Sequence, residues 1–418
     1  GAQPVAFAFG GEAQPADYAR AMADGGLLGL IGCLGLAQLS HETTPALAQL
    51  CFTALTFYGL SALHASVALP LAAFGLGLSG LTLSGGPSLA ALLGTAGTVY
   101  AFVETAPPGT PALARRWRVG ALALLTVAAA SLAWALDLWQ WRITPLTASW
   151  REWRSLGRLF LWFTWPLWPL LLWTLWRWRG QLTDLRRNRH LALPLIFLLA
   201  AAGTTLLTPA SDRSLLLALP ALATLAAFAL PTLERSVSAL IDWFTLLFFS
   251  GCAIIIWVIW VSMQTGFPKQ PAANVAKLAP GFEPTLSGLA FAVALLGTLA
   301  WIWLVKWRVG RHRSAIWKSM VLPAGGATLC WLLLMTLWLP VLDYARSYAP
   351  MVQRILVLTD QPDCVQVHGM SRGQIAALQF HGQLTVRPAT KNASCPWLLV
   401  DAADVATLAQ VANPAHWE

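Results

Sequence analysis

The chain has 418 residues, of which 57% are hydrophobic and only 11% charged, with a formal net charge of +9 and a mean hydropathy of +0.61. Soluble domains carry about 25% charged residues, so this composition excludes an ordinary soluble protein and points to an α-helical, polytopic membrane protein. The excess of Lys and Arg needs no nucleic acid to explain it, because basic loops on the cytoplasmic side of a membrane protein account for it.

Residues 1–26 read as a polar approach segment carrying Asp17, Arg20 and Asp24. Residue 1 is Gly and no basic signal region precedes an apolar core, so the chain is expected to be processed or truncated at its start. Apolar runs follow at 27–40, 46–63, 67–83, 88–103, 119–138, 159–176, 191–208, 215–230, 243–262, 285–304 and 319–341. They predict about eleven transmembrane helices within a membrane domain over 27–341. Many of the 23 Trp residues crowd at the ends of these runs, where the indole ring suits the headgroup zone.

Loop charge sets the expected orientation. One set of loops carries Arg115, Arg116, Arg118, Arg177, Arg179, Arg186, Arg187, Arg189, Arg235, Lys306, Arg308, Arg311, Arg313 and Lys318. The alternating set carries Arg142, Arg151, Arg154, Arg158, Arg213, Lys269 and Lys277. The first set is about twice as basic and is expected to be cytoplasmic, which puts 342–418 on the outer side. That tail reads as a small α/β domain. Strands are expected at 357–359, 364–368, 384–387 and 397–400, and a helix over 371–380 with Ser371 near its start. Cys364 and Cys395 fall in this domain and suggest one disulfide, hence an oxidising compartment, although two free thiols would look the same in sequence.

Ionisable residues avoid the middle of the apolar runs: Glu104, Asp137, Asp242 and Asp343 lie at run ends. Ion-coupled transporters place such groups near the bilayer middle, so a transporter loses ground. Polar groups gather instead on the expected outer loops. These are His41-Glu42, then Arg142, Arg151, Glu152, Arg154 and Arg158 ahead of Trp162-Phe-Thr-Trp-Pro-Leu-Trp-Pro169, and Asp212-Arg213 between two apolar runs. Each has a plainer reading: His41-Glu42 as a solvated turn or helix cap, the arginines as nonspecific partners of lipid phosphates, and Asp212-Arg213 as a self-neutralising turn. Together they form a cationic rim suited to an anionic lipid phosphate, which Arg binds bidentately. No metal-spaced His/Cys cluster, phosphate-binding loop or GxSxG motif is present.

Asp212-Arg213-Ser214-Leu-Leu-Leu-Ala-Leu-Pro220-Ala-Leu-Ala resembles the Arg/Lys–Tyr–Leu-Leu-Pro…Pro-Ala-Leu-Ala stretch of bacterial membrane glycosyltransferases of the GT-C type. These are the lipid A aminoarabinose transferase and protein O-mannosyltransferase relatives. The Trp-Pro-Leu-Trp-Pro stretch after a basic loop and the polar tail after the last helix are similar to the same family. The resemblance implies about thirteen helices and transfer of a sugar from a polyprenyl-phosphate carrier to a lipid acceptor such as lipid A. The reaction would take place at the periplasmic face of the bacterial inner membrane. It implies that Arg213 meets the carrier phosphate with help from Arg154 or Arg158, and that a carboxylate deprotonates the acceptor. His41, Glu42 and Asp212 would orient the acceptor or hold a divalent ion. Two departures stand out: Ser214 replaces the family's Tyr, and no Asp-Glu-x-Arg-Tyr type motif, the source of the family's catalytic carboxylate, occurs in the chain. Glu12…Asp17-Tyr18-Ala-Arg20 has the wrong order. The expected orientation of the first helix matches the family's third, which implies two further helices and an outer loop before Gly1. A non-catalytic lipid- or glycolipid-binding or transport protein is the alternative.

Overall fold

A computed structural model describes residues 5–6, 12–13, 15–39, 44–105, 111–139, 150–207, 212–309, 316–402 and 404–412. The chain divides into two compact units, residues 1–257 with 287–337, and residues 258–286 with 338–418.

In the first unit, β1 (Val5–Ala6) and β2 (Glu12–Ala13) pair antiparallel. Helix α1 (Pro15–Ile31) starts well before the apolar run at 27–40, and that run breaks at Gly32-Cys33 into the short α2 (Leu34–Leu39). There follow α3 (Pro45–Ala62), α4 (Ala68–Leu83) and α5 (Pro87–Val103), the first and last opened by Pro at the N-terminal position that has no use for an amide proton. Gly59 lets α3 and α4 close into a tight pair, since a Cβ there would stand 2.7 Å from the Phe74 amide nitrogen. Next come α6 (Ala112–Ala135), α7 (Trp150–Phe163), α8 (Leu167–Arg177), α9 (Arg179–Leu182), α10 (Arg189–Leu207), α11 (Asp212–Leu216) and α12 (Leu219–Ala227). Helix α12 is buried nearly all round, and its alanines admit α1, α8 and α10 at close range. Thr174 on α8 donates to the Leu225 carbonyl of α12 at 2.8 Å, and other buried threonines donate to carbonyls one turn back, such as Thr126 to Leu122.

Helix α13 (Arg235–Thr265) continues into the second unit, where α14 (Lys269–Leu278) follows it, while α15 (Gly288–Val309) and α16 (Val321–Leu333) complete the first. The indoles of Trp257 and Trp301 join α13 to α15 by donating to Thr298 and Ser250, both at 3.1 Å. These two Trp residues are therefore packing residues with satisfied N–H groups.

Among the described residues, six helical stretches are long and apolar enough to cross a membrane: Ala112–Ala135, Arg189–Leu206, Ser214–Thr232, Ser236–Thr265, Gly288–Arg308 and Lys318–Leu358. Among the described residues this makes the chain a mostly helical membrane protein with six candidate spans, or seven if α7 and α8 count as one bent span; length and apolarity do not reach the expected count of about eleven. The other expected spans shrink for physical reasons. The run at 27–40 is broken, α4 and α5 have only 16 and 17 residues, and α3, carrying Gln49, Thr53 and Thr56, falls short in apolarity.

In the second unit, α17 (Leu339–Arg346) and α18 (Ala349–Leu358) precede a three-stranded parallel sheet of β3 (Cys364–His368), β4 (Thr385–Pro388) and β5 (Trp397–Val400), in the order β4-β3-β5. The strand expected at 357–359 is instead the end of α18, whose Val352 belongs to the same core as Val365, Val367 and Leu378. Helix periodicity from Ala349 onward outweighs the β-branched local composition there. Helix α19 (Arg372–Gly382) makes the β3–α19–β4 crossover, and Ser371 and Gln374 close a capping box at its start. Cys364 and Cys395 are joined by a disulfide. The fully buried Gln366 accepts from the Ser394 amide at 3.1 Å and donates to Thr390 at 3.3 Å, so the β4–β5 connection is held by side chain as well as by the disulfide. The short α20 (Leu408–Val411) ends the described chain.

Candidate functional site

Two broken helices of the first unit meet at their breaks. Between α7 and α8 the chain turns by 90°. The turn frees carbonyls that an unbroken helix would satisfy, and the other break supplies their donors: the Cys33 thiol donates to Phe163 O at 3.1 Å and the Leu34 amide to Trp165 O at 3.0 Å. Gly35 permits the approach, because a Cβ there would stand 2.5 Å from the Phe163 ring.

The bend decides what α7 is. The sequence at 150–163 is apolar on one side, with Leu156 and Phe163 buried, and basic on the other, where Arg151, Arg154 and Arg158 recur at helical spacing and stand exposed. A basic amphipathic helix set at right angles to an apolar one has the shape of an element lying along a membrane surface while its neighbour enters the membrane. Among the described residues neither Arg154 nor Arg158 has an ion-pair partner.

Helix α11 packs against α7, α2 and the α3 region, and α2 packs against α7. Asp212 and Arg213 form the first turn of α11 rather than a non-helical turn, because the apolar run that follows extends its helix back to Asp212. His41 and Glu42 belong to the connection from α2 to α3 and lie outside the described residues. Helices α7 and α11, far apart in sequence, therefore meet in the fold, with α2 packed against both. The exposed guanidinium groups of Arg154 and Arg158 on α7 can meet the phosphate of a lipid whose tail runs along the apolar helices. Among the described residues no group of three or more His, Cys, Asp or Glu could hold a metal ion.

Sequence reasoning missed a second polar centre. Glu104, at the C-terminal end of α5, is buried; its carboxylate accepts from Arg189 of α10 and lies 3.2 Å from Nε2 of His64, in the turn after α3. Burial, then the nearby Arg189 charge, holds the His64 ring below its ordinary value against the opposing pull of Glu104. One signal was available: Glu104 is the only acidic residue between Glu42 and Asp137. A similar pair, Asp242 and Arg308 at 2.5 Å, joins α13 to α15; Asp242 lies two turns inside α13 rather than at its end. No protein family, curated protein or solved structure was found to match this chain.

Proposed function

We propose that this chain belongs to a membrane glycosyltransferase that takes a sugar from a polyprenyl-phosphate carrier and passes it to a lipid acceptor. The single observation that supports this reading most is the basic face of α7, where Arg154 and Arg158 stand exposed beside a 90° bend into an apolar helix, with α2 and α11 packed on α7. In this reading the acceptor oxygen attacks the sugar carbon as the bond to the carrier phosphate breaks, and the phosphate leaves with the electron pair. Arg213, with Arg154 or Arg158, neutralises the charge that develops on that phosphate. A carboxylate takes the acceptor proton. His41, Glu42 and Asp212 orient the acceptor or hold a divalent ion. The shorter and broken apolar helices complete a span count near eleven. Residues 342–418 lie on the periplasmic side of a bacterial inner membrane, a placement that the Cys364–Cys395 bond favours.

A second reading, a lipid- or glycolipid-binding protein without transfer, is favoured by one observation: the chain holds no motif of the type that supplies the family's carboxylate. Both readings require the carrier phosphate to bind. The test is binding of a short-chain polyprenyl phosphate to the protein in lipid nanodiscs, with Arg213→Ala and the double variant Arg154→Ala/Arg158→Ala alongside. Binding that weakens in both variants supports the site, and unchanged binding in both removes it.

A further inference from the structure

The centre around Glu104 joins four helices of the first unit. Arg189, the first residue of α10, donates to the Glu104 carboxylate and, through Nη2, to the Leu60 carbonyl of α3. Arg115 of α6 donates to the Glu104 main-chain carbonyl at 3.0 Å and to the Phe102 carbonyl. Tyr100 of α5 donates to the Leu185 carbonyl at 3.1 Å, and the Thr105 amide to Arg186 O at 2.9 Å.

His64 occupies the decisive position. Its Nε2 lies 3.2 Å from Glu104 Oε1 and 3.2 Å from Arg189 Nη1. One nitrogen cannot serve both neighbours: carrying a proton it donates to the carboxylate, and without one it accepts from the guanidinium. A neutral ring can exchange its proton between its two nitrogens and satisfy either. A protonated ring can only donate, and it adds a cation beside Arg189 and within the field of Arg118, with one carboxylate for all of them. The turn residues 63–67 and helices α3 and α4 contain no Asp, Glu, Lys or Arg. The charged groups bearing on the ring among the described residues are thus Glu104 of α5, Arg118 of α6 and Arg189 of α10. The side chains of Glu104 and Arg189 are 9% and 20% exposed, so water screens their charges weakly, whereas His64 at 32% is open enough to take up a proton.

We propose that His64, Glu104 and Arg189 form a proton-operated latch that holds the turn between α3 and α4 on the start of α10, and that protonation of His64 releases it. The direction follows from the environment. A ring that resists protonation when folded stabilises the closed turn fully above about pH 6.5, its ordinary value, and loses that contribution as pH falls through the lower folded value.

The test is amide hydrogen exchange, corrected for intrinsic rates, on peptides covering residues 60–68 and 187–192 in detergent-solubilised protein, from about pH 7.5 to about pH 5. The native protein should lose protection in both segments as pH falls. His64→Gln, neutral at every pH and able to donate and accept, should stay protected throughout. Glu104→Gln should expose the 60–68 segment already at about pH 7.5. No loss in the native protein, or an equal loss in native protein and His64→Gln, would overturn the latch. If Glu104→Gln does not fold, the comparison with His64→Gln still decides.

Discussion

The thiol of Cys33 donates to the main-chain carbonyl of Phe163 across 130 positions of sequence, at 3.1 Å, and so ties the break between α1 and α2 to the bend between α7 and α8. The contact depends on Gly35, whose missing side chain leaves room for the buried Phe163 ring. Gly35→Ala should cost about 1–3 kcal/mol by overpacking, because the ring has little space to retreat. Thermal unfolding in detergent measures it, and a melting temperature equal to that of the native protein would show that the two breaks are not held together.

The basic face of α7 should behave in the opposite way. Arg154 and Arg158 are exposed, so Arg154→Gln and Arg158→Gln should alter stability by no more than about 0.5 kcal/mol. Binding of an anionic polyprenyl phosphate should nonetheless weaken and become less salt-sensitive as each guanidinium is lost. Titration at two ionic strengths separates this outcome from a general loss of folding.

Ion pairs in this protein differ by burial. Arg187 and Asp184 pair at 3.3 Å on the surface with 76% and 46% exposure, so Asp184→Asn should be nearly silent. Glu104→Gln leaves the Arg189 guanidinium without its carboxylate in a mostly buried place and should cost on the order of 2–4 kcal/mol. Denaturation of the two variants side by side checks the contrast, and equal effects would contradict it.

The His64 ring gives the pH dependence its sign. Burial and Arg189 lower its folded value, so between that value and about pH 6.5 the unfolded chain binds more protons than the folded one, and stability rises with pH. Melting temperatures from about pH 5 to about pH 7.5 should climb more steeply in the native protein than in His64→Gln. Parallel curves would remove His64 as the titrating group.

The Cys364–Cys395 bond closes a loop of 31 positions around β4 and α19 in a unit with a small core. Cys364→Ser/Cys395→Ser should destabilise this unit by about 2–4 kcal/mol. Proteolysis within 389–395 reports it, and equal resistance with and without the bond would contradict the expectation.

Much of this fold is readable in the sequence. Long apolar runs give α6, α10, α13 and α15 because length and apolarity suffice to specify a span, and β3 and α19 follow from strand-like local composition and from Ser371 near the helix start. The breaks were not legible. Gly32 weakens the helix but does not by itself stop it, as Gly59 inside α3 shows, and the break is completed by partners 130 residues away. The same reason hid the pairing of Glu104 with Arg189: each sits at the end of its own apolar run and looks like a surface charge until α3, α5, α6 and α10 bring four backbones around it. The packing of α2, α7 and α11 on one another could not be expected, since no periodicity encodes which segments touch.

Turnover tests the proposed sugar transfer. The protein, reconstituted in vesicles with a polyprenyl-phosphate-linked sugar and a lipid acceptor, should release free polyprenyl phosphate in step with appearance of the sugar on the acceptor, and Arg213→Ala should abolish both while the fold persists. Binding of the carrier without release of its phosphate, over a panel of carriers and acceptors, would contradict a transferase and leave a lipid-binding membrane protein.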